Sequence, residues 1–130
     1  MTGITTHEFI ALAGLRSALR VFMRQSEMLA RSSGLTPQRH LLLLMIKGAP
    51  DGSERSTVTE LSERLQLAQS TVTELVRRAE DAGLIEREPS ESDGRVAYLR
   101  LTAEGERRLE RVAEKLTVER ARLEETIAGI

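Results

Sequence analysis

The chain has no cysteine. That excludes disulfides, cysteine-ligated zinc and a thiol switch within these 130 residues. Aromatic residues make up only 2%, with no tryptophan. Binders of single-stranded nucleic acid stack bases on aromatic rings, so this scarcity argues against that class. No apolar run approaches the roughly 20 residues that cross a bilayer. The N-terminus lacks a basic stretch followed by a hydrophobic core, so no secretion signal is expected and the expected location is cytoplasmic. Histidine is scarce too. His7 and His40 have no second histidine or cysteine at ligand spacing, and no metal site is expected. There is no phosphate-cradling glycine motif and no glycine-serine-glycine nucleophile elbow. Acids are many, but they sit mostly at helix-surface spacing and no pair stands out. Neither an enzyme nor a cofactor is expected.

Positive charge is also in short supply. Lysine and arginine total 19 against 20 acids, for a net charge of -1. From residue 55 to residue 100 there are seven arginines and nine acids. A basic footprint is the common mark of a DNA-binding domain. Its absence argues against strong non-specific binding, so any nucleic-acid reading must rest on where Arg77, Arg78 and Arg95 sit.

What is present is organised around residues 57–102. Leu61 and Leu65 are four apart, as on one helical face, with Thr57 or Thr59 as a cap. A break at Leu67-Ala68-Gln69 follows. A second helix begins near Ser70 and closes at Gly83. Its apolar stripe is Val72, Leu75, Val76, Ala79 and Ala82. The opposite side carries Ser70, Glu74, Arg77 and Asp81, flanked by Thr71, Thr73 and Arg78. Two extended runs come next, Ile85 to Pro89 and Val96 to Leu101, joined by a polar turn through Gly94. Helix, turn, helix, hairpin is the winged helix-turn-helix order, whose second helix enters the DNA major groove. Small hydroxyls in its first turn can meet phosphates or base edges.

On either side lie long helical patterns. From His7 to Ser32, Phe9, Leu12, Leu15, Leu19, Phe22, Met23 and Leu29 recur at mostly helical steps, an apolar surface broad enough to touch a second chain. Thr36-Pro37 starts another helix. Its run Leu41 to Ile46 is apolar all round and is expected to be the central, buried element. Gly48-Ala49-Pro50-Asp51-Gly52 ends it. A short extended piece at Ser56-Thr57-Val58 is a candidate third strand. Thr102 caps one last helix, with Leu109, Val112, Ala113, Leu116, Leu123 and Ile127 as its stripe. Glu104 with Arg108 and Lys115 with Glu119 are spaced as ion pairs. The fold class expected is mainly α, a winged helix-turn-helix with a small β component and long terminal helices. The chain reads as one domain, 1–130. Helices in 7–35 and 102–130 are assigned to dimerisation, and 36–101 is the DNA-binding lobe.

Four stretches carry a family resemblance: LTPQRHLLLLMIKG, TVTELSERLQLAQSTVTELVRRAEDAGLIERE, SDGRVAYLRLT and TAEGERRL. Together they resemble the multiple-antibiotic-resistance regulator (MarR) family of bacterial transcription factors across nearly the whole chain. The resemblance implies a homodimer built from the first and last helices. It implies two winged lobes on a pseudopalindromic operator in double-stranded DNA, and repression relieved by a small aromatic or anionic effector. By position, Gln69, Ser70, Thr71, Thr73, Arg77 and Arg78 would lie on the recognition helix. Arg95 would enter the minor groove at the wing, and Asp93 would position it. Glu74 departs from the pattern: facing DNA it would repel phosphate or select a cytosine amine. An effector crevice is expected near Phe22, Met23 and Met45, with Arg16 or His40. The rival reading is a winged-helix module that binds protein rather than DNA, favoured by the net acidity and by Glu74.

Overall fold

The computed structural model describes residues 3–90 and 94–130. Helices α1 (Thr6–Ser32) and α2 (Pro37–Lys47) open the chain. A two-residue strand, β1 (Arg55–Ser56), leads into α3 (Val58–Leu65) and α4 (Gln69–Asp81). Strands β2 (Ile85–Pro89) and β3 (Ala97–Leu101) form a hairpin, and α5 (Ala103–Lys115) and α6 (Thr117–Ala128) follow. This is the winged-helix fold.

Threonine chemistry sets four helix starts. Thr5, Thr36, Thr57 and Thr102 each hold extended backbone and accept from a backbone N–H three residues on. At Thr57 the Glu60 carboxylate accepts in return from the Thr57 N–H at 2.9 Å, completing a capping box. Helices α1 and α4 end alike. Gly34 and Gly83 adopt φ of +77° and +75°, which a side chain would resist. The Leu35 N–H then reaches the Ala30 carbonyl at 2.9 Å, and the Leu84 N–H reaches that of Ala79 at 3.0 Å. This Schellman closure folds Leu35 and Leu84 back into the core.

The sheet is antiparallel in the order β1-β3-β2. Arg55 faces Arg100, and Ile85 faces Leu101. Ile85, Leu99 and Leu101 turn inward and are buried. On the outer face Glu88 bridges the two like charges, 3.1 Å from Arg55 and 3.5 Å from Arg100. The third strand is therefore Arg55–Ser56, not Ser56-Thr57-Val58. Thr57 is occupied in capping α3, and Val58 is already helical.

One core joins Leu42, Leu43 and Ile46 of α2 to Leu61, Val72, Val76, Leu99, Leu109 and Val112. Helix α2 is central to it but not covered all round. Leu41 and Leu44 are 42% and 41% exposed, on the side of α2 turned away from that core. The last helix is not continuous either. It breaks at Leu116, where φ is -83° and ψ is -5°. Leu109, Val112 and Leu116 are buried before the break, while no residue of α6 is buried after it. Helix α6 lies along α1 instead. The break offsets the expected pairing: Glu104 meets Arg108 at 2.9 Å, but Glu119 pairs with Arg122 at 3.5 Å rather than with Lys115.

Candidate nucleic-acid interface

Helices α3 and α4 are joined by Gln66-Leu67-Ala68. Gln66 takes the left-handed conformation, φ 56° and ψ 46°, at a cost of about 1–2 kcal/mol for an L residue. Its amide donates to the Glu63 carbonyl at 2.6 Å, an added local tie. Helix α4 starts at Gln69, one residue earlier than its spacing indicates. Val72, Val76 and Ala79 are fully buried and Leu75 nearly so. That stripe fixes the rotation of α4 about its axis, so the polar side must face outward. Ala82 is exposed rather than part of the stripe. It is the C-cap, where the chain already turns toward Gly83.

Gln69, Ser70, Thr71 and Thr73 are all exposed. The Gln69 amide donates to the Thr59 hydroxyl at 3.4 Å, a weak tie from the first turn of α4 back to α3. Ala68, the N-cap, gives that turn no side-chain acceptor. The leading N–H groups and the Ser70 and Thr71 hydroxyls form a donor-rich helix start, chemistry suited to phosphate oxygens or base-edge acceptors.

About two turns from the start of α4, Arg77 and Arg78 lie on the same exposed face, and both are engaged. Arg77 Nη2 and Nε donate to the Glu74 carboxylate at 2.6 and 3.0 Å, and Arg78 Nε donates to it at 3.0 Å. Arg77 Nη1 also reaches Asp81 at 3.0 Å. The Arg77 hydrogen bonds, then that from Arg78, hold the Glu74 carboxyl down to about 2. The cluster escaped the reading of the sequence, which treated Glu74 alone. The signal was there: Glu74 stands three and four residues before the two arginines, the spacing of helical ion pairs.

The wing hairpin narrows at the Ser90 N–H, which donates to the Val96 carbonyl at 3.0 Å. Gly94 and Arg95 are exposed beyond it, on a projection separate from the α4 face. Asp93 lies outside the described residues. The wing is locked to α4 by two residues not singled out for this role. The Thr102 hydroxyl donates to the Gly83 carbonyl at 2.6 Å, and the Thr102 N–H donates to that of Leu84 at 3.0 Å. Gly105 packs so closely that a Cβ there would run into the Leu84 carbonyl. A glycine three residues after a threonine cap, inside a helix's first turn, is the trace this contact leaves in the sequence.

Apart from this face, a cavity of about 100 Å³ between α1 and α2 is lined by Phe22, Met23, Glu27, Pro37 and His40 among others. Arg16 lines a different, open cleft along α1, and Met45 packs on the core. His40 is only 3% exposed, and burial pushes its imidazole below the ordinary value. Among the described residues no cluster of histidine and acids could hold a metal ion. No helix among them is long and apolar enough to cross a membrane.

Known proteins share this arrangement. The MarR family model matches residues 33–96, from the end of α1 to the start of β3. An organic hydroperoxide resistance transcriptional regulator of Bacillus subtilis is 32% identical over 91 residues, covering 70% of this chain and 59% of that one. The chain spans 35% and 59% of the length of the curated relatives it matches. A MarR family protein from Bacillus stearothermophilus superposes with a TM-score of 0.75 at 29% identity, covering 93% of this chain and 82% of that one. A mutant MarR from E. coli, crystallised with operator DNA, superposes with a TM-score of 0.68 at 21% identity, covering 93% and 85%; it adds likeness of fold alone. Taken with the capped helices, the exposed α4 face and the hairpin behind it, these matches make the chain similar to the MarR family, in sequence over residues 33–96 and in fold over nearly its whole length.

Proposed function

We propose that the chain is a homodimeric, sequence-specific regulator of transcription that binds double-stranded DNA through α4 and the wing and whose repression is relieved by a small molecule. The observation that carries the DNA part is the outward face of α4. Gln69, Ser70, Thr71, Thr73, Arg77 and Arg78 stand on it, while the buried stripe behind forbids any other rotation. Arg95, exposed at the wing tip, adds a guanidinium, the group that the negative potential of a narrow minor groove attracts. The assignment of Asp93 to positioning Arg95 rests on the family pattern. Relatives named as transcriptional regulators, and a fold relative bound to operator DNA, support the same reading.

The dimer rests on exposed apolar surface. Phe9, Ile10, Leu12, Val21, Met23 and Met28 of α1 are each more than half exposed, and Val118 and Ile127 of α6 join them. The accessible surface is 8803 Å², against roughly 6,900 Å² for a compact chain of this mass. The excess, on the order of 1,900 Å², is what one subunit of a permanent dimer would cover. The terminal helices are thus assigned to dimerisation and 36–101 to DNA binding. The effector site is assigned to the α1–α2 cavity, where Phe22, Met23 and Pro37 offer apolar contact and Glu27 and His40 offer polar groups to a small aromatic ligand.

Gel-shift titration on the chain's own upstream DNA, with and without aromatic acids, tests all three parts. Operator binding weakened by Ser70→Ala and by Arg95→Ala, with a shallower salt slope in the Arg95 variant, is expected. An absence of binding to any duplex would leave the protein-binding module as the better reading, one that the acidic lobe and the engaged arginines favour.

A further inference from the structure

The recognition face of α4 is electrically cancelled in the free protein. Arg77 and Arg78 supply two positive charges, and Glu74 and Asp81 two negative ones, all within a single ion-pair network. The arginines of the strands beside it are engaged as well. Arg55 and Arg100 are held by Glu88, and Arg87 by Glu80. A protein built to hold phosphates would leave such guanidinia available, because affinity for the DNA backbone scales with the cations it presents.

We propose that Glu74 is a specificity determinant: it keeps Arg77 and Arg78 off the phosphates and presents its remaining acceptor site to the N4 amine of a cytosine in the major groove. The proposal rests on the DNA-binding reading above and names a determinant within that same surface. An ionised carboxylate has about four acceptor sites. Three are filled here, by Arg77 Nε, Arg77 Nη2 and Arg78 Nε. One remains. Bare, Glu74 would be repelled by the phosphates on either side of the groove. Flanked by two guanidinia, with Asp81 completing the network, it enters as part of a cluster without net charge, and a carboxylate accepting from cytosine N4 is an established direct contact. With its carboxyl held far below neutrality, Glu74 stays ionised at any pH where DNA would be bound. It lies one turn beyond Ser70 on the exposed side of α4, with a side chain 44% exposed and therefore able to reach a base edge. The trade is lower affinity for DNA in general against a larger penalty for the wrong base.

Glu74→Gln tests this, because it keeps the shape of the side chain and removes the charge. The full-length variant would be compared with the unaltered protein on operator and scrambled duplexes across a salt series. Tighter binding to scrambled DNA is expected, with a salt dependence steeper by about one to two units of slope per lobe as the two arginines turn to phosphates. Operator preference should fall by at least about fivefold, the smallest penalty typical of one misread base pair. A base-substitution series should locate that loss at one C·G pair in each half-site. Glu110→Gln, on the exposed side of α5, makes the same charge change away from α4. Equal gains in the two variants would reduce the effect to net charge and overturn the proposal. Unchanged operator preference with Glu74→Gln would overturn it too, while leaving DNA binding by the unaltered protein intact. If the unaltered protein binds no duplex, the DNA-binding reading falls and this inference falls with it. Unchanged circular dichroism and melting temperature in Glu74→Gln would separate these outcomes from misfolding.

Discussion

The winged lobe and the terminal helices obey different rules. In the lobe, most apolar side chains are hidden against another part of the same chain, Leu41 and Leu44 of α2 excepted: Leu42, Leu43, Leu61, Val72, Val76, Leu84 and Leu99 are fully buried. In the first two-thirds of α1 and throughout α6, no side chain is fully covered. Composition does not separate the two regions, since both are amphipathic and helix-rich. What differs is whether the partner surface lies in the same chain. A region whose apolar faces are covered within the chain needs no second copy to hide them. A region that leaves Phe9, Ile10 and Met23 in water asks for a second copy. In the proposed dimer, the buried lobe would hold α4 and the wing in register, and the terminal helices would set the distance between two lobes.

The comparison is broken most severely from inside the lobe. Leu43→Ala should cost about 2–5 kcal/mol by chemical denaturation, since it leaves a cavity where the side chain is wholly buried. Gly105→Ala should cost about 3 kcal/mol or more, because the new Cβ would push α5 off the Leu84 carbonyl. A Gly105 variant that melts like the unaltered protein would show that the wing and α5 can slide apart freely.

Replacing Phe9 and Ile10 together by serine should act the other way. The lobe loses nothing of its own, as both side chains are more than half exposed. Sedimentation should show the dimer's dissociation constant raised by at least about tenfold, roughly 1.4 kcal/mol. A double variant that stays dimeric with unaltered affinity would move the interface elsewhere.

A pH titration adds a subtler distinction. Burial lowers the folded-state value of His40 below its ordinary 6.5. The unfolded chain therefore binds the proton more readily than the folded one. Stability from this group is complete above about 6.5 and falls as pH drops below it. Urea midpoints should decline from pH 7.5 to 5.5, and His40→Gln should flatten that decline. Smallest of all, Thr57→Ala removes one half of a capping box and should cost about 1 kcal/mol. A loss well above that would mean Thr57 also governs how β1 enters α3.

Much of this molecule was legible in its residues, for identifiable reasons. Threonine caps, the glycines at 34 and 83 and the i, i+4 stripe of α4 act over a few residues, so local chemistry placed those elements to within about one position. The outward display of Gln69, Ser70, Thr71 and Thr73 followed from that stripe alone, because burying one side of a helix exposes the other. The break at Leu116, the exposure of Leu41 and Leu44 and the locking of the wing by Gly105 were not legible. Each depends on which surface arrives from elsewhere in the chain, and periodicity cannot say where a stripe finds its cover. The same holds for the charge on α4. The sequence by itself determined that Glu74, Arg77, Arg78 and Asp81 share one face. Only the tertiary structure decided where that face points: packing fixed the rotation of α4 and left the four side chains in solvent, with no partner from another element among the described residues, so they pair along the helix.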